Sequence, residues 1–154
     1  ALRAAAEERP EPDPRALAGK RILVIEDEQI LRDMLVHMLA GLGCEVRTAE
    51  DGQAGVEHYA AHWREVDLVI LDMVMPRLSG RDAFHALRRV DPAVKVVIAS
   101  GFSTGGGAEE LLEQGAAGFL QKPFLRDRLV ELLLENLAGD GGPGGALPAP
   151  PMLR

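Results

Sequence analysis

The chain has 154 residues, of which 47% are hydrophobic, and this supports one domain with a substantial core. Its formal net charge of −7 is spread along the sequence without a basic stripe, so the domain is not expected to bind nucleic acid directly. No apolar stretch is long enough to span a membrane and no signal peptide is visible, so we expect a cytoplasmic domain without membrane contact.

Composition divides the chain into three parts. Residues 1–19 combine Ala, Glu, Arg and Pro without sustained periodicity, which predicts a flexible N-terminal arm or linker. Residues 139–154 are rich in Gly and Pro, which predicts a disordered tail. The folded domain is therefore expected over residues 20–138.

Five short apolar runs alternate with helical patterns along this domain. In chain order the runs are Ile22–Ile25, Cys44–Thr48, Asp67–Leu71, Val94–Ala99 and Gly118–Leu120. Such runs predict parallel strands in successive βαβ units. Cys44, the single cysteine, excludes an internal disulfide and is expected to be a buried apolar side chain.

The intervening patterns predict five helices. The first ends at Gly43 and has an apolar face of Ile30, Leu31, Met34, Leu35, Met38, Leu39 and Leu42. The second is capped by Asp51 and runs to about Trp63, and the fourth is short and ends at Gln114-Gly115. The third contains Ala83, Phe84, Leu87 and Val90, and the fifth carries Leu125, Leu129, Leu132, Leu133 and Leu137. Together these elements predict a three-layer doubly wound α/β domain.

Polar residues stand where four of the five predicted strands end. Glu26 and Asp27 follow the first strand, Asp72 the third, Ser100 the fourth and Lys122 the fifth. Because the carboxyl ends of parallel strands open on one edge, these side chains should converge. The set suits transfer of a phosphoryl group to an aspartate with help from a divalent cation. Mg²⁺ fits best because it prefers oxygen ligands, with Asp27 binding directly and Glu26 through a water.

Each of these residues also has an ordinary structural interpretation. Acidic residues at strand ends often cap the next helix, a serine before glycine is common in turns, and a lysine is usually a solvated charge. Asp72 is harder to explain in this way, because a carboxylate close to two others suffers repulsion that raises the pKa of at least one of them. A bound cation removes that conflict and leaves Asp72 ionised, as a nucleophile must be.

Four motifs in order resemble the receiver domain of bacterial two-component response regulators. They are Ile22-Leu23-Val24-Ile25-Glu26-Asp27-Glu28, Leu71-Asp72-Met73-Val74-Met75-Pro76-Arg77-Leu78-Ser79-Gly80, Ala99-Ser100-Gly101 and Phe119-Leu120-Gln121-Lys122-Pro123-Phe124. The resemblance covers about residues 20–137. It implies a flavodoxin-like sheet with strand order 2-1-3-4-5.

The resemblance implies a role for each residue of the site. Asp72 takes a phosphoryl group from a phosphohistidine on a sensor histidine kinase or histidine phosphotransfer protein. Asp27, Asp72 and the Met73 carbonyl hold Mg²⁺, with Glu26 in the outer shell. Lys122 and Ser100 bind the new acyl phosphate, and the Lys122-Pro123 bond is expected to be cis.

The resemblance also implies a switch. Phe119 stands where the family carries an aromatic residue that turns inward once Ser100 moves toward the phosphoryl group, although permanent burial of Phe119 explains it nearly as well. The face formed by the fourth helix, fifth strand and fifth helix then changes, and this face could also form a homodimer.

Gly105-Gly106-Gly107 predicts a mobile entry to the fourth helix. Apolar Val74 and Phe102 beside the site predict slow hydrolysis of the acyl phosphate.

Several alternatives stay open or are disfavoured. The domain is either a free-standing regulator or the terminal receiver of a hybrid sensor histidine kinase. A Mg²⁺-dependent phosphatase with an aspartyl nucleophile is the main alternative, but it typically needs a second Asp where Val74 stands. A flavin module is disfavoured because acidic residues 26–28 would repel its phosphate. His58 and His62 lack a third zinc ligand in the sequence nearby, so a zinc site there is disfavoured. Val130 and Leu134 widen the apolar stripe of the last helix, and we favour their burial over a role in docking a partner.

Overall fold

Five parallel strands form one sheet in the computed structural model, which describes residues 13–75, 77–101 and 107–138. The strands are β1 Arg21–Ile25, β2 Glu45–Ala49, β3 Leu68–Asp72, β4 Val96–Ser100 and β5 Gly118–Gln121. Their spatial order is β2-β1-β3-β4-β5, and every neighbouring pair is parallel. The predicted doubly wound fold and its strand order are confirmed.

Five helices cover the two faces of this sheet. They are α1 Gln29–Gly41, α2 Gly52–His62, α3 Gly80–Val90, α4 Ala108–Glu113 and α5 Arg126–Leu133. A wider π turn, Leu134–Ala138, continues α5, and 3-10 turns occupy Pro14–Leu17 and Trp63–Glu65. None of the helices in the described ranges has the length and apolarity that crossing a membrane requires.

Local chemistry explains where several helices begin and end. The Asp51 carboxylate accepts a hydrogen bond from the Ala54 amide (2.8 Å) and caps α2, as predicted. The Ser79 hydroxyl accepts one from the Asp82 amide (3.2 Å) and caps α3 in the same way. Gly43 lies just after the end of α1 and has a φ of +86°, a left-handed conformation that favours glycine.

The strands separate two cores because successive side chains point to opposite faces of the sheet. Ile22 and Val24 of β1 belong to one core, which also contains the buried residues of α1 and α5. Leu23 and Ile25 belong to the other, under α2, α3 and α4. The central strands β1, β3 and β4 are thus packed from both sides, and their carboxyl ends are held rigidly.

The apolar face predicted for the first helix is too wide. Leu35, Leu39 and Leu42 are buried, and Leu31 and Met38 pack partly against the core, but Ile30 is 77% exposed and Met34 is also exposed. The sheet covers only the middle of this apolar stripe, so residues at its margin remain in solvent.

The last predicted helix begins later than expected. Leu125 is not part of it but lies at its N-cap position, and the side chain is 66% exposed. Leu129, Leu132, Leu133 and Leu137 are buried as predicted. Val130 and Leu134 are also buried, which agrees with the interpretation favoured from sequence.

The predicted N-terminal arm contains a core residue. Leu17, in the 3-10 turn before β1, is fully buried and packs in the core of α1 and α5. Cys44 is buried beside it and donates its thiol to the Leu17 carbonyl (3.6 Å). Packing therefore begins before the boundary predicted at residue 20, because one leucine in a short turn produces no periodic signal. Residues 1–12 and 139–154 lie outside the described ranges, so the division of the chain stays a prediction.

Gly80 provides a test of the packing between β3 and α3. A Cβ atom at this position would lie 2.5 Å from the Met73 Cα and 2.6 Å from the Asp72 carbonyl oxygen, both rigid backbone atoms. We expect Gly80→Ala to lower the free energy of unfolding by about 1–3 kcal/mol, measured by urea denaturation.

The matched control is Gly41→Ala, at the last residue of α1. A Cβ atom there meets nothing within 4 Å, so this change should be neutral or stabilising by up to about 1 kcal/mol. Equal stabilities of the two variants would show that the β3–α3 contact is not as tight as the structure indicates.

Candidate functional site

The predicted site residues meet at one edge of the sheet. Glu26 and Asp27 directly follow β1, Asp72 ends β3, Ser100 ends β4 and Lys122 follows β5. Asp72 pairs in register with Ala99, the residue before Ser100. Residues separated by almost a hundred positions in sequence therefore share one rim.

Three carboxylates form the centre of this edge. Glu26, Asp27 and Asp72 each offer an oxygen, and these oxygens lie within 4.8 Å of one another. Glu26 is only 1% exposed and Asp72 only 2%, whereas Asp27 is partly open to solvent. The cluster therefore combines two buried carboxylates with one that a ligand can reach from outside.

Lys122 is the cation that faces this cluster. Its Nζ lies 3.1 Å from Oδ1 of Asp72 and 3.4 Å from Oε1 of Glu26. Burial works to lower the pKa of the ammonium, but the hydrogen bond to Asp72 and the charges of both carboxylates outweigh it and raise the pKa. Lys122 is therefore positively charged at neutral pH.

Burial has the opposite effect on the pKa of the carboxyl groups. Burial and the neighbouring Asp72 charge raise the pKa of Glu26 to about 7. Burial also raises the pKa of Asp72, although its hydrogen bond with Lys122 opposes this effect. The Lys122 ammonium therefore does not fully offset the cost of ionising these two buried carboxyl groups.

Two carboxylate oxygens of the cluster have the properties expected of ligands to a cation. Glu26 Oε1 and Asp72 Oδ2 are buried and accept no hydrogen bond from the described part of the chain, although Lys122 makes an ion pair with the first. When all groups are ionised, three negative charges face one positive charge, and a divalent cation balances the remainder. An all-oxygen donor set with excess negative charge is suited to Mg²⁺.

The Met73 carbonyl, expected as a further ligand, is held next to the cluster by backbone contacts. It accepts a hydrogen bond from the Gly80 amide (3.1 Å), and a carbonyl oxygen has a second lone pair for a metal. The Val74 amide donates to Oδ1 of Asp72 (3.3 Å). The β3–α3 loop therefore holds the Asp72 side chain on one side.

The end of β4 is tied to the residue that carries the ammonium. The backbone amide of Lys122 donates to the Ser100 carbonyl (2.8 Å), and the Ser100 side chain is buried. The Lys122-Pro123 peptide bond is cis, which confirms the expectation from the family resemblance.

Phe119 lies on the same face of the sheet as Ser100. It pairs with Ile98, two residues before Ser100, and side chains two residues apart in a strand point to the same side. The ring is partly buried against the core of α2, α3 and α4 and is not fully enclosed. The two residues predicted to form a switch are therefore diagonal neighbours on adjacent strands.

Some predicted features fall outside the described residues. Phe102, with its expected effect on hydrolysis, and Gly105 and Gly106 at the entry to the fourth helix belong to this group. Gly107 is described, has a φ of +96° and directly precedes α4.

Two arginines support the site and were not singled out in the sequence. Arg32 of α1 donates to the carbonyls of Glu26 (2.8 Å) and Asp27 (3.3 Å). Arg77 adopts a left-handed conformation (φ +73°) and pairs with Asp51 (2.7 Å), which ties the β3–α3 loop to the start of α2. Spacing does not distinguish such arginines from the solvated charges that surround every helix.

The two histidines of α2 lie close together but without a third metal ligand. The rings of His58 and His62 are 4.6 Å apart, and Glu65 approaches His62 at 3.7 Å. Across the described ranges, Glu26, Asp27 and Asp72 form the only set of three metal-ligating side chains. The preference against a zinc site at these histidines stays a prediction.

The chain is similar to receiver domains over most of its length. The family model described as the response regulator receiver domain matches residues 22–134. The chemotaxis protein CheY of Thermotoga maritima is 34% identical over 116 residues, which are 75% of this chain and 95% of CheY.

Two solved structures show the same similarity in three dimensions. The response regulator TrrA of Thermotoga maritima, in complex with Mg²⁺-BeF, is 31% identical with a TM-score of 0.69, covering 77% of this chain and 99% of TrrA. The receiver domain of a Pseudomonas aeruginosa sensor histidine kinase, with a magnesium ion in its active-site cleft, is 27% identical with a TM-score of 0.71, covering 79% and 99%. The chain therefore belongs to the family of response regulator receiver domains, the phosphoacceptor modules of two-component systems.

Proposed function

We propose that Asp72 accepts the phosphoryl group, and that the donor is a phosphohistidine on a sensor histidine kinase or histidine phosphotransfer protein. One observation carries this proposal. The Asp72 carboxylate is buried among two other carboxylates, and the Lys122 ammonium lies 3.1 Å from one of its oxygens. Such an arrangement is costly for folding alone and suits a reaction that brings negative phosphoryl oxygens to this edge.

The chemical step is a transfer between an imidazole nitrogen and a carboxylate oxygen. An ionised oxygen of Asp72 forms the new P–O bond while the P–N bond of the donor breaks. The imidazole leaves with the electron pair of that bond and takes a proton from solvent. Lys122 pairs with a phosphoryl oxygen, and catalysis consists mainly of positioning and charge neutralisation around a loose transition state.

We assign the metal site to Asp27, Asp72 and the Met73 carbonyl, with Glu26 acting through a water. The all-oxygen donor set and the uncompensated negative charge support this assignment. The Mg²⁺ complexes of the two related solved structures support it as well. When bound, Mg²⁺ supplies charge neutralisation for the phosphoryl oxygens.

We further propose that phosphorylation changes the surface formed by α4, β5 and α5. The Ser100 hydroxyl binds a phosphoryl oxygen, and the Phe119 ring turns into the space that Ser100 leaves. The diagonal placement of the two residues on one face of the sheet supports this coupling. The altered surface then binds a partner or a second copy of the domain.

The phosphatase alternative has less support. Val74, two residues past Asp72 in the β3–α3 loop, is exposed and stands where such an enzyme needs a group that donates a proton. A valine side chain cannot do so. The family match also favours a receiver over a phosphatase.

The acceptor assignment is tested with acetyl phosphate as a small-molecule donor. The wild-type protein incubated with acetyl phosphate and Mg²⁺ should gain the mass of one phosphoryl group, measured by intact-protein mass spectrometry. Asp72→Asn should gain none because the amide is not a nucleophile, whereas Asp33→Asn, an exposed change on α1, should behave as wild type. A gain that survives Asp72→Asn would place the acceptor elsewhere.

The metal assignment is tested by isothermal titration calorimetry with Mg²⁺. Asp27→Asn removes a charged ligand and should weaken binding by at least about tenfold, because even residues that only orient metal ligands have effects of this size. Asp33→Asn should bind Mg²⁺ with wild-type affinity. Unchanged affinity of Asp27→Asn would remove Asp27 from the ligand set.

The lifetime of the acyl phosphate tests the role of Val74. An apolar side chain beside the site should hinder attack by water, so the phosphorylated wild-type protein should persist for longer than minutes. Val74→Asn offers a polar group that can hold the attacking water and should shorten the lifetime several-fold. The lifetime is measured from the loss of the phosphorylated protein over time. Rapid loss from the wild type, or no effect of Val74→Asn, would contradict this prediction.

A further inference from the structure

The β1–α1 loop, residues 26–28, carries two of the three carboxylates, and all three of its carbonyl groups are bound by one residue. Nη1 of Arg32 donates to the carbonyls of Glu26 (2.8 Å) and Asp27 (3.3 Å). The Arg32 backbone amide donates to the Glu28 carbonyl (2.9 Å) as part of the first turn of α1. The Arg32 side chain thus holds the carbonyls of Glu26 and Asp27, whereas the Glu28 carbonyl is held by an ordinary backbone hydrogen bond of the helix.

Other contacts leave little further freedom to Glu26. Its backbone amide donates to the Ala49 carbonyl of β2 (3.1 Å). Its side-chain oxygen Oε2 accepts a hydrogen bond from the Glu28 amide (3.2 Å). With the Glu26 carbonyl held by Arg32 as well, the remaining carboxylate oxygen is directed toward Lys122 and the cluster.

Arg32 and Lys122 are two cationic side chains near this edge, and they contact different groups. The Lys122 ammonium contacts carboxylate oxygens directly. The Arg32 guanidinium is hydrogen-bonded to backbone carbonyls of the same loop, so it leaves the carboxylate oxygens available to a metal. Both hydrogen bonds come from one nitrogen, Nη1, so a single end of the guanidinium holds two successive carbonyls.

We propose that Arg32 is a positioning residue for the metal site, because it holds the backbone of Glu26 and Asp27 so that Asp27 can bind Mg²⁺ directly and Glu26 through a water. The inference rests on the proposed function of the Glu26, Asp27 and Asp72 cluster. A residue that only stabilises the fold would affect unfolding and leave the Mg²⁺ affinity of the folded protein unchanged. The two roles are therefore separable by experiment.

The test compares Arg32→Gln, Arg32→Lys and a matched control, Arg89→Gln, which removes an exposed arginine from α3. Calorimetry gives the Mg²⁺ dissociation constant of each protein, and urea denaturation shows the folded fraction. The rate of phosphorylation by acetyl phosphate is then measured across a series of Mg²⁺ concentrations.

We expect Arg32→Gln to weaken Mg²⁺ binding by about tenfold, the lower end of what is typical for residues that orient metal ligands. The Mg²⁺ concentration for half-maximal phosphorylation should rise by the same factor, while the rate at saturating Mg²⁺ falls less. Arg32→Lys should recover part of the affinity because it retains a charged donor, and Arg89→Gln should match wild type.

Wild-type Mg²⁺ affinity in folded Arg32→Gln would overturn the inference. If Arg32→Gln does not fold, Arg32→Lys decides: a several-fold weaker affinity supports the role, and an unchanged affinity overturns it. Failure of the proposed function looks different, because the wild-type protein itself would then not bind Mg²⁺ or would be phosphorylated at a residue other than Asp72.

Discussion

Mutual repulsion among three carboxylates is the constraint around which this edge of the molecule is built. Glu26 and Asp72 have lost nearly all contact with water, and each also lies close to another negative group. The raised pKa values of both show that burial and repulsion disfavour their charged forms. Lys122 offsets only part of this cost, so the cluster keeps an excess of negative charge when its groups are ionised.

The fold withstands this repulsion because each loop at the edge is anchored from behind. Arg32 holds the β1–α1 loop through its carbonyls, and the ion pair between Arg77 and Asp51 holds the β3–α3 loop. A backbone hydrogen bond between Lys122 and Ser100 joins the last two strands. Below the edge, the central strands are packed on both faces and give these loops a rigid base.

Element types and order were predictable because they depend on local patterns, while boundaries and burial were less so. The second strand was expected over residues 44–48 and runs from Glu45 to Ala49. Ile30 and Leu125 read as core residues from their spacing but are exposed, and Leu17 reads as part of an arm but is buried. Periodicity shows which residues share a face, whereas only packing shows how much of that face the neighbouring sheet covers.

The sequence by itself determined the alternation of strands and helices and the residue type at each strand end, because both are written in short stretches of neighbouring residues. From these the meeting of Glu26, Asp27 and Asp72 followed, since parallel strands share one carboxyl edge. Only the tertiary structure decided that Lys122 bridges Asp72 and Glu26, and that these carboxyl groups are buried enough to shift their pKa values. The hydrogen bond from Arg32 to the Glu26 carbonyl was likewise visible only there. These features depend on distances of a few ångströms between distant segments, and such distances are set by strand register and side-chain packing rather than by local spacing.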